Sequence, residues 1–169
     1  MMQLCVGAKI VHSLHGVGHV ESLEEKDILG RLTNFAVISF QEDRLKIMVN
    51  IDQRNSMLRS LMTSEEVETV MEHLKNHTCV SVISKSTQRY NVNMQKIKSG
   101  DVNNLAEVVK ELSGLLEEKR LTQKELTMLE QTRKILAAEL SQVTNRSEEE
   151  SLAWIEQVCS LKRELISAQ

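Results

Sequence analysis

The 169-residue chain contains no proline, and aromatic residues make up only 2% of it. Because proline is absent, glycines and helix-capping residues must mark the ends of the structural elements. The scarcity of aromatics means that any core must be built from leucine, isoleucine, valine and methionine. No apolar run approaches the roughly 20 residues that a membrane-spanning helix needs. The amino-terminal MMQLCVGAKIV also lacks the basic and apolar regions of a secretory signal.

Cysteine is scarce as well, with Cys5, Cys79 and Cys159 odd in number, far apart and without a CxxC pair. This usage predicts a reduced, cytoplasmic protein rather than a disulfide framework. The formal net charge is −3. Such an acidic balance argues against a polycation that coats nucleic acid, but it allows a local basic patch. Residues 81–100, SVISKSTQRYNVNMQKIKSG, are such a patch, with four basic residues and no acidic one.

The first sixty residues have the pattern of a small β domain. In DRLKIMVNID, Leu45, Ile47, Val49 and Ile51 recur at every second position, which indicates a strand with one buried face. NFAVISF is strand-like in composition, and AKIVHSL and VGHVESLEE are expected to form two strands around the LHGVG turn. Four or five short strands predict an SH3/Tudor-like β-barrel at residues 1–60.

Residues 61–169 have a helical period instead. Three capping boxes, each a Ser or Thr followed three residues later by a Glu, precede apolar stripes. The pairs are Thr63 and Glu66, Thr122 and Glu125, and Ser147 and Glu150. Gly100 is placed to end a helix. The sequence therefore predicts an α+β fold, with the barrel followed by an all-α bundle of about four or five helices.

Three stretches resemble the CarD family, also called CdnL, of bacterial transcription regulators. They are VGAKIVHSLHGVGHVESLEE, RYNVNMQKIKSGDVNNLAEVVKEL and LTQKELTMLEQTRKILAAEL, and the similarity covers residues 6 to about 141. The resemblance implies a protein that is not an enzyme and needs no cofactor or small-molecule substrate. Its barrel, shared with transcription-repair coupling factor, docks on the β subunit of RNA polymerase. Its helical domain contacts promoter DNA at the upstream edge of the melted −10 region and modulates open-complex stability.

The resemblance also implies which barrel residues contact polymerase. They are Lys26, Met48, where the family has a basic residue, and Arg44 and Lys46 on the same strand as Met48. Without the resemblance, the three basic residues would be interpreted as ordinary solvated strand positions. With it, we expect strand addition to the polymerase, in which these charges set the register and the association rate.

DNA contact falls, by the same resemblance, on the basic stretch. Arg89 and Tyr90 match an RY pair of the family, and Lys85, Lys96 and Lys98 supply further charge. Contacts of this kind are made to phosphates and to the fork, so the expected binding is largely independent of DNA sequence.

The chain departs from the family pattern at the position of a wedge residue. Many members have a tryptophan just before the RY pair, where a flat ring can stack on an unpaired base, and Ser86 stands there in this chain. Gln88 and Asn91 occupy positions that are often basic. Tyr90 could substitute for the wedge or could cover the bundle core, and Trp154 is expected to pack within the bundle. We therefore expect weaker, more electrostatic DNA contact than in other members.

Two other interpretations stay open. The acidic helical part and the missing tryptophan are compatible with an adaptor that docks on polymerase but binds another protein with its helical domain. A weaker alternative is a metal-dependent enzyme that holds zinc with His12, His15 and His19. Strands around a tight turn would not direct all three rings to one side, and no nucleophile motif, P-loop or dinucleotide fingerprint is present.

Overall fold

The computed structural model describes residues 4–40, 44–53, 55–75 and 82–160. In these ranges the chain forms an antiparallel sheet of five strands followed by five helices, which confirms the predicted α+β order. The strands are β1 (Lys9–His12), β2 (Gly16–Ile28), β3 (Arg31–Phe40), β4 (Leu45–Asn50) and β5 (Leu58–Arg59). The helices are α1 (Ser64–Lys75), α2 (Ser86–Lys98), α3 (Val102–Glu117), α4 (Gln123–Thr144) and α5 (Glu148–Ser160).

The sheet has the order β4-β3-β2-β1-β5, as in small barrels of the Tudor-like kind. β2 and β3 form a hairpin longer than the short strands predicted from the sequence. A register shift between Val20 and Ser22 interrupts their pairing. Leu29 and Gly30 at the tip have φ of 55° and 79°, the conformation of a two-residue hairpin turn that suits the twist of the strands.

One face of the sheet carries the core of the β domain. Its buried residues are Ile10, Val20, Ala36, Ile38 and Phe40. The alternating apolar residues of β4 and its end, from Leu45 to Ile51, pack against this core and confirm the predicted strand. Position 18, next to this core, requires glycine, because a Cβ there would come within 2.8 Å of the Phe40 ring.

All three predicted capping boxes are present. In the box before α4, the Thr122 hydroxyl accepts from the Glu125 amide and the Glu125 carboxylate accepts from the Thr122 amide. The same reciprocal bonds open α1 and α5. The helices enclose an aliphatic core that includes Leu112, Leu129 and Leu140. Cys5 is exposed and Cys159 is buried, whereas Cys79 lies outside the described residues.

Gly100 separates α2 from α3 and lies against the β domain. Its φ is 75°, and a Cβ there would come within 2.0 Å of the Ser56 carbonyl oxygen. Asp101 follows as the N-cap of α3, and its carboxylate accepts from the Asn103 amide at 2.7 Å. The SGD motif that carries much of the family resemblance is therefore a structural junction between the two parts of the chain. None of the helices in the described ranges is long and apolar enough to cross a bilayer.

Candidate functional site

Three of the four residues proposed to contact polymerase lie on the sheet face opposite the core. Lys26 on β2 pairs with Thr33, and Met48 on β4 pairs with Val37. Thr33 and Val37 are four residues apart on β3, so they project from the same face. Lys46 is two residues from Met48 and shares this face. The structure therefore places three of the four candidate residues, which come from two strands, on one face of the sheet.

Both lysines of this face are paired with neighbouring carboxylates, Lys46 in an exposed position and Lys26 in a half-buried one. Lys46 Nζ lies 2.7 Å from Glu21 Oε1, and Lys26 Nζ lies 3.2 Å from Glu24 Oε2. Exposed pairs of this kind contribute at most about 1 kcal/mol. An acidic partner surface could therefore compete for the two ammonium groups at little cost.

β4 is an edge strand, since it pairs only with β3 in the described part of the chain. Met48 is 46% exposed on it. Arg44 precedes it in a turn with φ of 49° and is exposed. An exposed edge with unpaired main-chain groups is the geometry that strand addition requires.

The basic stretch, residues 81–100, contains the whole of α2. Lys85 is its N-cap and makes no side-chain capping bond, and the first turn has no acidic residue. Lys85, Gln88 and Asn91 are exposed, and Ser86 is half-buried. Together with their neighbours they line an open groove of about 690 Å³. Four of the eight residues predicted to contact DNA thus share one surface.

Arg89 does not belong to this surface, and the prediction that it contacts DNA is corrected. Its side chain is 3% exposed, and its Nε donates to Glu125 Oε1 at 2.7 Å. Its Nη1 donates to the Ile83 carbonyl at 2.9 Å. Burial acts to raise the pKa of Glu125, but the bonds from Arg89 and Thr122 outweigh it and hold the pKa below its ordinary value. Arg89 thus fastens α2 to α4 and cannot reach a phosphate without breaking this pair.

Of the three lysines in the stretch, one is also paired within the fold. Lys96 Nζ lies 3.2 Å from Glu107 Oε1 of α3. Lys85 and Lys98 are exposed and have no ion pair within the described ranges. They stand at opposite ends of α2, about 20 Å apart along its axis. The stretch therefore offers two unpaired charges to a ligand rather than four.

Tyr90 and Trp154, the two aromatic residues considered for stacking, both pack against the helical core. For Tyr90 this favours the core-covering interpretation over substitution for the missing wedge. Trp154 is half-buried on α5, as expected for packing within the bundle. Its ring also carries the guanidinium of Arg146, 4.3 Å from the centroid, a contact that no sequence pattern indicates.

The three histidines of the β domain do not form a metal site. The rings of His12 and His15 stack with centroids 4.7 Å apart, next to Phe40. Burial, and to a smaller extent the charge of His15, lower the pKa of His12 to about 4. His19 lies on β2, where it pairs with Lys9. No group of three potential ligands able to hold a metal ion is found among the described residues, so the metalloenzyme interpretation gains no support.

The comparisons with known proteins agree with this architecture. Residues 4–62 match the CarD-like/TRCF RID domain family, and residues 69–156 match the CarD C-terminal domain family. The Bacillus subtilis (strain 168) protein named "Putative transcription factor YdeB" is 29% identical over 146 residues, which are 86% of this chain and 95% of that protein. The first family match spans the sheet and the second spans most of the helices, in the order that the resemblance predicted. The chain therefore belongs to the CarD/CdnL family.

Proposed function

We propose that this transcription regulator of the CarD family docks on the β subunit of RNA polymerase through its sheet and contacts promoter DNA through α2. At the upstream edge of the −10 bubble it modulates the stability of the open complex. It acts by binding alone, without a catalytic step or a cofactor.

The observation that carries the docking proposal is the shared face of Lys26, Lys46 and Met48 next to a free sheet edge. Ile28, which lies two residues from Lys26 and therefore on the same face, is 48% exposed. Apolar side chains interleaved with lysines on an exposed sheet face are typical of a surface that a partner covers. The lysines favour an acidic partner strand and fix its register.

The open groove at the start of α2 supports the DNA contact. Its polar residues and Lys85 can bind phosphate and sugar groups without reading sequence. A helix N-terminus without acidic residues adds a favourable partial positive charge. Because DNA contact by the free chain rests on few charges, polymerase docking supplies the local concentration that makes it effective.

Differential binding explains how such a factor acts without catalysis. A protein that contacts the melted fork better than closed duplex shifts the equilibrium toward the open complex by the ratio of the two affinities. Only contacts that differ between the two states contribute to this shift. The groove around Ser86, Gln88 and Asn91 can make such contacts with an unpaired strand.

The docking proposal is tested by pull-down of a bacterial RNA polymerase β-subunit fragment. The Lys26→Glu/Lys46→Glu variant is expected to lose binding, because both ammonium groups become carboxylates on the docking face. Lys119→Glu/Lys124→Glu is the matched control, since it makes the same charge change at exposed positions of the helical domain. Unchanged binding of the first variant, or equal loss in both, would contradict the assignment.

A second candidate function is that of an adaptor whose helical domain binds a protein instead of DNA. The ion pairs that Arg89 and Lys96 form within the fold favour the adaptor function, because they leave only two unpaired lysines at α2. Retardation of a fork-junction DNA at low salt, with and without polymerase, distinguishes the two functions. Absence of retardation under both conditions would favour the adaptor.

A further inference from the structure

A groove of about 730 Å³ runs along the outer side of α1, where α1 packs against α5. Val67 and Met71 of α1 line it but are almost fully buried. Trp154 of α5 forms part of its wall and is half-buried. Among the apolar residues of the groove, Trp154 is therefore the one whose side chain a ligand can contact.

Three exposed carboxylates border the groove. Glu65, Glu68 and Glu72 all line the groove, and their spacing places them on one face along the length of α1. The structure shows no ion pair for any of them in the chain segments it describes. Lys75, at the end of the helix, is the one lysine or arginine among the described residues that lines the groove. The border is thus predominantly acidic and has unused capacity to pair with cations.

The spacing of these carboxylates does not allow all three to hold one metal ion, and no group of three potential metal ligands is found among the described residues. Glu65 and Glu72 are seven residues apart, so they are separated by about 10 Å along the helix axis. A bound cation needs its oxygen ligands within about 2.6 Å. Nucleic acid is excluded by the sign of the charge, and a second copy docking by this same face would place glutamates against glutamates.

We propose that this groove binds a basic amphipathic helix of a partner protein. Apolar side chains of that helix pack on the accessible part of Trp154, and its lysines or arginines pair with the bordering glutamates. The groove extends from Glu65 to Lys75, about 15 Å, which matches roughly three helical turns.

The stacking of Arg146 shows that the Trp154 ring accepts a guanidinium in this fold. An arginine of the partner helix can use the same kind of contact on the part of the ring that faces the groove. The site is formed by α1 and α5, whereas α2 packs on α3 and α4. Partner binding therefore does not require α2, and this inference does not depend on polymerase docking or on DNA contact.

Because Trp154 is the sole tryptophan, its fluorescence reports occupancy of the groove directly. The probe is a synthetic helical peptide with leucines on one face and lysines on the other, titrated into the full chain. We expect a saturable change of the tryptophan emission that weakens with added salt. A peptide with the same leucines and with glutamates instead of lysines is expected to cause no change.

A charge-reversal pair separates the groove from the overall acidity of the chain. Glu68→Lys/Glu72→Lys is expected to weaken peptide binding about tenfold or more. Glu117→Lys/Glu130→Lys makes the same change of net charge at exposed positions outside the groove and is expected to bind as the unmodified chain does. Circular dichroism melting of both variants establishes that they are folded.

Three results would overturn the proposal. The first is an unchanged tryptophan emission at saturating peptide and low salt. The second is an equal loss of affinity in the two charge-reversal variants, which would mean that binding follows net charge alone. The third is a concentration-dependent dimer in sedimentation velocity that Glu68→Lys/Glu72→Lys dissociates, since the occupant would then be a second copy of this chain.

Discussion

Arg59 and Glu139 form a two-point ion pair that joins the last strand of the sheet to the longest helix. Arg59 Nη1 pairs with Oε1 of the carboxylate, and Nη2 lies 2.6 Å from Oε2. The Met62 amide donates to the same carboxylate at 2.7 Å. Glu139 is fully buried, and 80 residues separate the pair along the chain. This contact fixes the helical domain to the segment that leaves the sheet, and with it the relative placement of the two candidate interfaces.

Removal of the Glu139 charge is expected to destabilise the chain. In Glu139→Gln the Arg59 guanidinium loses its partner in a largely buried position, which lowers the free energy of unfolding by about 2–4 kcal/mol. Urea denaturation followed by circular dichroism measures the change. Glu130→Gln, an exposed change on the same helix, is the control and is expected to leave the midpoint within experimental error. Equal midpoints for Glu139→Gln and the unmodified chain would contradict a stabilising role for this pair.

Local features of the fold were predictable from the sequence, because neighbouring residues determine them. The capping box of Thr122 and Glu125 is an example, since its two side chains bond to each other's backbone. The same Glu125 also binds Arg89, which lies 36 residues away. No local pattern predicts that second role, and the family resemblance assigned this buried structural arginine to DNA contact.

Contacts across the sheet could not be predicted from the sequence either. That Lys26 and Lys46 share a face depends on the pairing register of three strands, including the shift between Val20 and Ser22. A one-residue difference in register would place the two lysines on opposite faces. Alternation within a single strand predicts which residues are buried, but it does not predict which residues of other strands lie beside them.

DNA affinity is expected to depend on Lys85 and Lys98. Replacing both with glutamine removes the two unpaired charges of α2, so the slope of log K against log salt for fork-junction DNA decreases by about 1.8. Electrophoretic retardation or anisotropy at several salt concentrations measures this slope. The free energy of unfolding is expected to stay unchanged, because neither lysine has a partner among the described residues.

Two further variants control this DNA experiment. Lys119→Gln/Lys124→Gln removes the same charge from exposed positions elsewhere and is expected to leave the slope unchanged. Arg89→Gln is expected to lower the free energy of unfolding by about 3 kcal/mol, because it leaves Glu125 buried without its partner. If Lys85→Gln/Lys98→Gln binds DNA with the slope of the unmodified chain, α2 is not the DNA contact.

Stability is expected to fall on acidification because of His12. Burial and the neighbouring His15 lower the pKa of His12 from 6.5 to about 4, so the unfolded chain binds a proton at this site more readily than the folded chain. The stabilisation is therefore complete above pH 6.5 and is lost as the pH falls toward 4. Over this range His12 is expected to lower the free energy of unfolding by about 3 kcal/mol.

Urea denaturation between pH 4 and pH 8 measures this dependence. In His12→Gln, which cannot titrate in this range, the curve is expected to be flatter by the contribution of this one residue. The comparison between the two proteins cancels the carboxylates, which titrate in both. A constant difference in the free energy of unfolding across the range would show that His12 does not titrate differently in the folded and unfolded chains.

The junction at Gly100 is expected to tolerate no side chain. In Gly100→Ala the new Cβ would meet the Ser56 carbonyl oxygen at 2.0 Å, and the backbone would also be held at a positive φ. Since the obstacle is main chain rather than the end of a flexible side chain, either α2 or the loop before β5 must move. We expect a loss of about 2–4 kcal/mol in the free energy of unfolding.

Gly30→Ala separates the two causes, because Gly30 has φ of 79° but no atom within 4 Å of the position that a Cβ would occupy. It is expected to lose only about 1 kcal/mol, and an equal loss in the two variants would mean that backbone conformation, and not the contact with Ser56, requires glycine at this junction.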